Sequence, residues 1–278
     1  MKIIFRKTSL LLIIICIVAF TSCYKKYDYT TYQPVFTVGG YASSNDIGAG
    51  HLVGYWNFEG NTKDSLSGTE GTAVNTTFAT GFLGKGLQGA ANGYVISDLP
   101  AAIKTMKSFT IDFWINTAQN TVGIWTPICI SNTADFWGSL DLFYENGGTA
   151  SSAPFKAHIK GQSEVWFTNS TLANPWNAWQ NIAVTYDAAT STFTSYQGGG
   201  KVASTTSAGL GDLIFPATAE NIIFGTEQFN CNPSLGTAGG AQAWADYLRG
   251  QLDEVRIYDV ALSEPDLKAL IILQGKGK

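Results

Sequence analysis

The amino-acid sequence predicts an all-β fold, an antiparallel two-sheet sandwich with one short helix near the C-terminus. Thirty glycines and an aromatic content of 13% among 278 residues favour short strands joined by tight turns. Segments of alternating apolar residues recur along the chain, and Gly, Asn, Asp or Ser separates them. Because no helical pattern lies between these segments, antiparallel pairing is favoured over a parallel sheet. The length suits one large domain of this kind.

The clearest strand patterns lie in six segments: residues 52–58, 109–115, 182–186, 201–205, 222–224 and 252–258. In the second segment the apolar residues occupy alternate positions, so their side chains are expected on one face of the strand. Asp112 and Trp114 are expected on the opposite face. The run Gly198-Gly199-Gly200, just before the fourth segment, predicts a hairpin turn.

One convincing helix is predicted, and it lies at the C-terminal end of the chain. Ser263 suits the N-cap, Pro265 suits the first turn, and the acidic Asp266 suits the positive end of a helix. Residues 267–273 give the helix an apolar side, and Gly275 predicts its end.

The N-terminus predicts export and lipid attachment. A basic start precedes an apolar run over residues 10–20, which is shorter than the roughly 20 residues that span a bilayer. The ending Phe20-Thr21-Ser22-Cys23 resembles a bacterial lipobox, in which cleavage precedes a diacylated cysteine. Residues 1–22 are therefore predicted to be a lipoprotein signal peptide, Cys23 the lipidation site, residues 23–48 a tether and residues 49–278 the folded domain. An ordinary secretory signal and a short signal-anchor helix are the alternatives.

The charge balance excludes one class of partner. After residue 22 the chain keeps 14 of its 17 basic residues and all 21 acidic ones, a formal net charge of −7. No basic run follows Lys25-Lys26, so nucleic-acid binding has no electrostatic footprint. Only His51 and His158 are present, which excludes a histidine-rich metal site. In an exported chain, Cys129 and Cys231 either form a disulfide or remain two separate buried thiols.

Four segments in this order carry a family resemblance: LVGYWNFEGN at residues 52–61, SFTIDFWI at 108–115, WQNIAVTYD at 179–187 and RGQLDEVRIYD at 249–259. Together they resemble the laminin G-like, concanavalin A-like jelly-roll domains of bacterial surface proteins. The resemblance extends over residues 52–270 and implies that the predicted sandwich is a jelly roll. The fold alone does not decide the function, because it carries glycosidases, lectin-like modules and adhesion domains.

The resemblance also implies one structural calcium ion, held between the opening loop and the closing strand of the domain. It places Asp253 in the closing strand, and Glu59 or Asn61 in the opening loop. Carboxylate, amide and backbone carbonyl oxygens are the ligands that Ca²⁺ prefers. As alternatives, Asp253 bonds to backbone amides or to Arg256, and Asn61 belongs with Asp64 to a polar turn.

No catalytic residues are predicted. The catalytic pattern E-x-D-x-x-E of laminarinase-type relatives is missing, and the adjacent Asp253 and Glu254 are expected on opposite faces of their strand. Asp141 and Glu145 would share a face, but about 13 Å of backbone separates them, more than a glycosidase pair allows. Acids from different strands, such as Asp112 and Glu164, remain an open combination, so a glycosidase is not excluded.

Aromatic residues in loops are the candidate ligand-binding residues, because flat sugar faces stack on Trp and Tyr. The candidates are Trp125, Trp137, Trp176, Trp244 and Tyr247. The last two lie in the long, Gly-rich stretch 229–248, and long loops are often functional. The alternative is that each loop Trp packs in a small core beneath a loop.

These observations predict a lipid-anchored, non-catalytic carbohydrate-binding or accessory lipoprotein. Its expected location is the bacterial outer membrane, at the cell surface. Its expected partners are a glycan and an outer-membrane glycan-uptake complex, with structural Ca²⁺ as the cofactor. Two alternatives remain: a protein-interaction subunit of such a complex that binds no sugar, and a glycoside hydrolase of the same fold. The arrangement of the loop Trp residues, in one open groove or each covered, distinguishes between them.

Overall fold

Two antiparallel sheets stack face to face in a sandwich. The computed structural model describes residues 34–119 and 121–278, and residues 37–278 form one unit. The predicted signal peptide, Cys23 and the first part of the predicted tether lie outside the described residues. No helix in the described part of the chain is long and apolar enough to cross a membrane.

The first sheet has eight strands: β1 (Leu52–Trp56), β3 (Thr77–Thr80), β4 (Lys85–Gln88), β6 (Phe109–Asn116), β11 (Gln180–Asp187), β12 (Thr192–Gln197), β13 (Gly200–Thr206) and β15 (Gln251–Tyr258). Their order is β13-β12-β11-β6-β15-β4-β3, and β1 also pairs with β15. The second sheet has seven strands: β2 (Thr72–Val74), β5 (Tyr94–Asp98), β7 (Trp125–Ile130), β8 (Leu140–Tyr144), β9 (Ser152–Lys160), β10 (Glu164–Ala173) and β14 (Asn221–Phe224). Their order is β10-β9-β8-β7-β14-β5-β2. Two helices complete the set, α1 (Ala101–Lys104) and α2 (Glu264–Gln274).

The core lies between the sheets, as strand alternation predicts. Phe109, Ile111 and Phe113 of β6 are fully buried in the same cluster as Leu140 and Leu142 of β8. The predicted all-β antiparallel sandwich with a C-terminal helix is therefore confirmed.

The helix α2 covers the outer face of the eight-stranded sheet. Its N-cap Ser263 accepts a hydrogen bond from the Asp266 backbone N–H, as the sequence predicts. The Trp114 indole N–H donates to the Gln274 side chain across 2.9 Å, which anchors the end of the helix on the sheet. The predicted hairpin turn lies beside the helix, and a side chain at Gly199 would come within 2.9 Å of Lys268. Glycine is therefore required there both for space and for its φ of 73°.

A bulge in β15 changes the expected direction of one acid. The register of β15 against β6 shifts between Asp253 and Arg256, and Glu254 has a φ of 52°. The extra residue puts two neighbouring acids on the face that α2 covers: Asp253 lies opposite Trp114, and the Glu254 carboxylate accepts from the Gln274 amide at 3.2 Å. Nη2 of Arg256 lies 3.2 Å from the same carboxylate. The expectation that Asp253 and Glu254 point to opposite faces is therefore wrong, because that alternation holds only in a regular strand. Arg256 consequently bonds to Glu254 and not to Asp253.

Asp112 lies in the same buried layer beneath α2. Its Oδ2 accepts a hydrogen bond from Asn181 at 2.9 Å, while its Oδ1 has no partner among the described residues. Burial raises the pKa of Asp112 to about 7, although the Asn181 hydrogen bond and the Arg256 charge lower it. Asp112 and Glu164 belong to different sheets, on β6 and β10, so the structure does not bring this acid pair together.

Candidate ligand-binding surface

The outer face of the seven-stranded sheet is covered at one side and open at the other. A covering loop, residues 227–248, crosses the strands near β7 and β14. The buried side chain of Gln228 ties this loop to the β7–β8 connection. Its amide group donates to the backbone carbonyls of Asn132, Asp135 and Phe136, and its Oε1 accepts from the Asn132 N–H. The loop is thus fixed by hydrogen bonds to the backbone, despite its high glycine content.

Six aromatic side chains meet where the covering loop reaches β8, β9 and β10. This aromatic patch consists of Phe136, Trp137, Phe143, Trp166, Phe229 and Trp244. Trp137 lies at its centre, with ring centroids 5.3 Å from Trp166 and 5.8 Å from Trp244. Trp166 and Trp244 are 39% and 44% exposed, whereas Phe229 is fully buried. The patch therefore offers two accessible indoles on a packed aromatic base.

Charged side chains surround the patch. Lys160 pairs with Asp135 and Lys156 pairs with Glu145, each at 2.5 Å, and all four side chains are partly exposed. Glu164 lies 3.1 Å from Nε2 of His158, whose ring packs 4.2 Å from that of Trp166. Hydrogen-bond donors and acceptors thus lie beside the exposed indoles, as a hydroxyl-rich ligand requires.

A buried acidic cluster lies beneath the patch. The Cys129 sulfur and one carboxylate oxygen each of Asp141 and Glu227 lie within 4.8 Å of one another, and all three residues are buried. Nδ1 of His158 is 2.8 Å from Oδ2 of Asp141, and the Thr126 hydroxyl is 2.5 Å from Oε1 of Glu227. Burial raises the pKa of Glu227 well above its usual value, and the Asp141 carboxylate raises it further. Burial thus disfavours the charged form of Glu227, and neither carboxyl group reaches solvent.

The predicted aromatic candidates fall into three environments. Trp137 and Trp244 come together in the aromatic patch. Trp125 is buried in the core, with its ring stacked 4.2 Å from that of Tyr144. Trp176 is half-buried, and its indole N–H donates to the Thr149 carbonyl at 2.7 Å.

Tyr247 lies apart from the patch, where its hydroxyl donates to the Asn230 carbonyl at 2.8 Å. Trp166 belongs to the patch but is not among the candidates that the sequence predicts. Its place in β10, which pairs with a neighbour on one side only, leaves its outer face uncovered. The alternation of Glu164, Trp166 and Thr168 on one face was the available signal.

Two of the three predicted calcium ligands meet at one hairpin turn. Asp253 accepts from the Leu83 N–H at 2.9 Å, and Glu59 accepts from the Lys85 N–H at 3.1 Å. Two glycines make room for them: a Cβ at Gly81 would lie 2.5 Å from the Asp253 carboxylate, and one at Gly84 would overlap that of Glu59. Burial raises the pKa of Asp253 to about 7, which a nearby cation would reverse. The carboxylates of Glu59 and Asp253 thus both lie against the turn over residues 81–85, each accepting a backbone N–H there.

Asn61 does not take part in this arrangement. Its Oδ1 accepts from the Lys63 N–H at 3.0 Å, and its amide donates to the Glu59 carbonyl. These bonds form the polar turn that was the alternative for this residue. Asp64 likewise accepts from the Tyr55 N–H at 2.9 Å within the same segment.

The two cysteines of the domain are free thiols in this structure. Cys129 and Cys231 are both buried and belong to one apolar cluster with Tyr94 and Ile223. Burial raises the pKa of each thiol, to about 12 for Cys231, which disfavours the reactive thiolate.

Several solved structures have a fold similar to that of this chain. The binding domain of Paraclostridial Mosquitocidal Protein 1 is 19% identical with a TM-score of 0.59, covering 80% of this chain and 52% of that chain. Domain 4 of AbnA, a GH43 extracellular arabinanase from Geobacillus stearothermophilus, is 15% identical with a TM-score of 0.54. The match covers 80% of this chain and 98% of that domain. The binding domain of botulinum neurotoxin DC is 14% identical with a TM-score of 0.56, covering 81% and 52%. The chain thus spans about half the length of the two toxin structures, and at these identities the likeness shows the fold.

Sequence comparison identifies the family. No curated protein matches the chain. The laminin G-like profile of the concanavalin A-like lectin/glucanases superfamily matches residues 88–268, which is more than half of the chain. The match spans β5 to β15 and the start of α2, and it includes Trp137, Trp166 and Trp244 of the aromatic patch. The chain therefore belongs to the concanavalin A-like lectin/glucanases superfamily.

Proposed function

We propose that the protein is a non-catalytic carbohydrate-binding module that binds glycan at the aromatic patch. The observation that carries this proposal is the pair of exposed indoles, Trp166 and Trp244, on either side of Trp137. Such flat apolar faces complement the C–H faces of sugar rings. The neighbouring pairs Lys160–Asp135 and Lys156–Glu145 supply donors and acceptors for the hydroxyl groups.

The carboxyl groups near the patch favour binding over hydrolysis. A glycosidase needs two carboxyl groups that reach the glycosidic bond from opposite sides. Asp141 and Glu227 are buried under the covering loop. The partly exposed Asp135, Glu145 and Glu164 each contact a basic side chain, which is Lys160, Lys156 and His158 respectively. A sugar on the patch therefore has no free carboxyl pair beside it among the described residues.

Two similar structures support glycan recognition by analogy. The arabinanase domain was solved in complex with arabinotriose, and the neurotoxin binding domain in complex with SialylT. The shared fold makes an oligosaccharide a reasonable ligand class for this chain, while the patch supplies the specific argument.

A glycan array combined with a reducing-sugar assay tests the proposed function. We expect the protein to retain at least one oligosaccharide or polysaccharide with weak affinity and to release no reducing sugar from it. Absence of retention across the array would overturn the proposal and favour a protein-interaction subunit. Release of reducing sugar by the purified protein would favour a glycoside hydrolase instead.

We further propose that the protein is a lipoprotein of the bacterial outer membrane, exposed at the cell surface and serving glycan capture or uptake. The lipobox-like ending at Cys23 is the basis for this proposal. Cys23→Ala removes the thiol that would carry the lipid, so we expect the precursor to remain uncleaved or the protein to become soluble. Membrane fractionation with a mass measurement of the N-terminus checks this. Normal processing and membrane retention of the variant would contradict it.

We also propose one structural Ca²⁺ at the turn over residues 81–85, bound by Glu59 and Asp253. Such an ion would link the opening and closing strands and stabilise the native state by mass action. Chelator should lower the melting temperature, and added calcium should restore it. Asp253→Asn should abolish this calcium response, whereas Asp259→Asn, at an exposed site paired with His51, should preserve it. Identical melting curves of the parent protein with chelator and with calcium would refute the site.

A further inference from the structure

A cavity lies beside the covering loop, away from the residues of the aromatic patch. It has a volume of about 540 Å³ and opens between the start of β5, the turn after β2 and residues 230–241. This volume lies within the range of small-ligand sites in proteins, roughly 300–1,000 Å³. None of the six patch residues lines it.

The walls of the cavity are polar but carry no formal charge. Four asparagines line it, Asn75, Asn92, Asn230 and Asn232, together with two tyrosines and a serine. No Asp, Glu, Lys, Arg or His side chain is among the lining residues. Because a buried ion without a partner is costly, such walls select an uncharged ligand with many hydrogen-bonding groups.

One amide donor in the wall lacks a partner. Asn230 is 3% exposed, and its Oδ1 accepts from the Gln242 N–H at 3.0 Å. Its Nδ2 has no hydrogen-bond partner among the described residues. Buried polar groups are almost always paired. This donor is itself covered, so a bound hydroxyl group would accept from it only after a shift of the Asn230 side chain.

The remaining walls are held in place before any ligand binds. The Tyr94 hydroxyl accepts from the Asn232 N–H at 2.9 Å, and that of Tyr247 donates to the Asn230 carbonyl. Asn75 and Asn92 have φ values of 50° and 57°, and the Asn75 amide donates to the Asn92 carbonyl at 3.2 Å. Left-handed backbone at residues other than glycine is uncommon and concentrates at functional sites. Fixed walls reduce the entropy lost on binding.

We propose that this cavity binds one uncharged sugar residue, at a second site independent of the aromatic patch. The asparagine side chains supply both donors and acceptors for ring hydroxyls, and the half-buried Tyr247 ring gives an apolar contact for the C–H face. Uronic acids and amino sugars are excluded as preferred ligands, since no wall residue offers a countercharge.

Titration of the full-length protein with single sugars tests the proposal. Glucose, galactose, mannose and arabinose are followed by NMR chemical-shift changes up to about 50 mM, which detects affinities near −2 kcal/mol. We expect at least one to bind with a millimolar dissociation constant, and glucuronic acid and glucosamine to bind about fivefold more weakly or not at all. Absence of binding by all four neutral sugars would overturn the proposal.

Gly240→Trp is the decisive variant. A Cβ at Gly240 meets no atom within 4 Å, so the residue accepts a side chain, and an indole there would fill the cavity. We expect it to weaken binding of the neutral sugar at least tenfold. Ala208→Trp, on an exposed turn after β13, is the matched control and should leave the dissociation constant unchanged. Undiminished binding by Gly240→Trp would refute the site.

Two further variants distinguish this site from the patch. Asn92→Gly removes a wall amide and suits the positive φ, so it should weaken sugar binding several-fold with an unchanged melting temperature. Trp244→Ala should leave single-sugar binding intact. If Trp244→Ala abolishes it, the sugar binds at the patch, which supports the proposed function and overturns the second site.

Discussion

Trp244→Ala is expected to reduce glycan affinity about thirtyfold, the effect of losing roughly 2 kcal/mol from a Trp anchor. The indole is 44% exposed and lies at the edge of the aromatic patch, so its stacking surface disappears on truncation. Trp166→Ala should act similarly from the opposite side. Because both side chains are partly in solvent, the melting temperature should change by only a few degrees. Affinity electrophoresis and thermal melting on the same preparations measure both effects.

Trp125→Ala is the matched control for this experiment. Its side chain is buried against Tyr144, so truncation leaves a cavity and should cost about 3–5 kcal/mol of stability. Trp176→Ala should lower stability moderately, since it loses the hydrogen bond to Thr149, and should leave the retention of glycan unchanged. Strong destabilisation by Trp244→Ala with normal glycan retention would mean that the patch is structural packing.

Arg256→Met is expected to destabilise the domain by about 3–5 kcal/mol, a fall in melting temperature of roughly 10 °C. Arg256 is 2% exposed, donates to Glu254 at 3.2 Å and lies 4.4 Å from the Tyr55 ring centroid. It also donates to the Ser44 carbonyl at 3.3 Å, which ties the segment before β1 to β15. Removing the guanidinium leaves the Glu254 carboxylate without its cation in a buried layer.

The free energy of unfolding that Arg256→Met removes should increase with pH. Burial raises the folded-state pKa of Asp112 from 3.8 to about 7, so its contribution to stability is fully present below pH 4 and declines as the pH rises towards 7. The Arg256 charge lowers this pKa, so removing it raises the folded-state value further. The decline then continues above pH 7 in the variant. Urea denaturation at pH 5 and pH 8.5 should show the larger deficit at the higher pH.

Lys107→Met provides the control for charge removal. Lys107 pairs with Asp212 at 2.7 Å, but both side chains are more than half exposed, and exposed ion pairs contribute about 0–1 kcal/mol. We expect little change in its denaturation curve at either pH. A deficit for Arg256→Met no larger than that for Lys107→Met would refute the structural role assigned to the buried arginine.

Local sequence pattern was sufficient for the fold class, for six of the fifteen strands and for the C-terminal helix. Alternation in residues 109–115 identified the buried face of β6 because the strand period is set by backbone geometry alone. Capping chemistry at Ser263 identified the start of α2 for the same reason, since its partner lies three residues away. The direction of Glu254 was missed, because a bulge depends on how β15 pairs with β6 and leaves no mark in the period.

The binding surface depended on contacts between residues distant in sequence. Trp137 and Trp244 were recognisable as loop aromatics from sequence, and so was Trp125, which the structure places in the core instead. Which indole remains in solvent is decided by the covering loop and by the position of β10 at the edge of its sheet. The sequence alone therefore determined the fold class, six of the strands, the C-terminal helix and the residue types available for binding. Only the tertiary structure decided which of them share a surface, because exposure results from packing between segments and not from any one segment's own pattern.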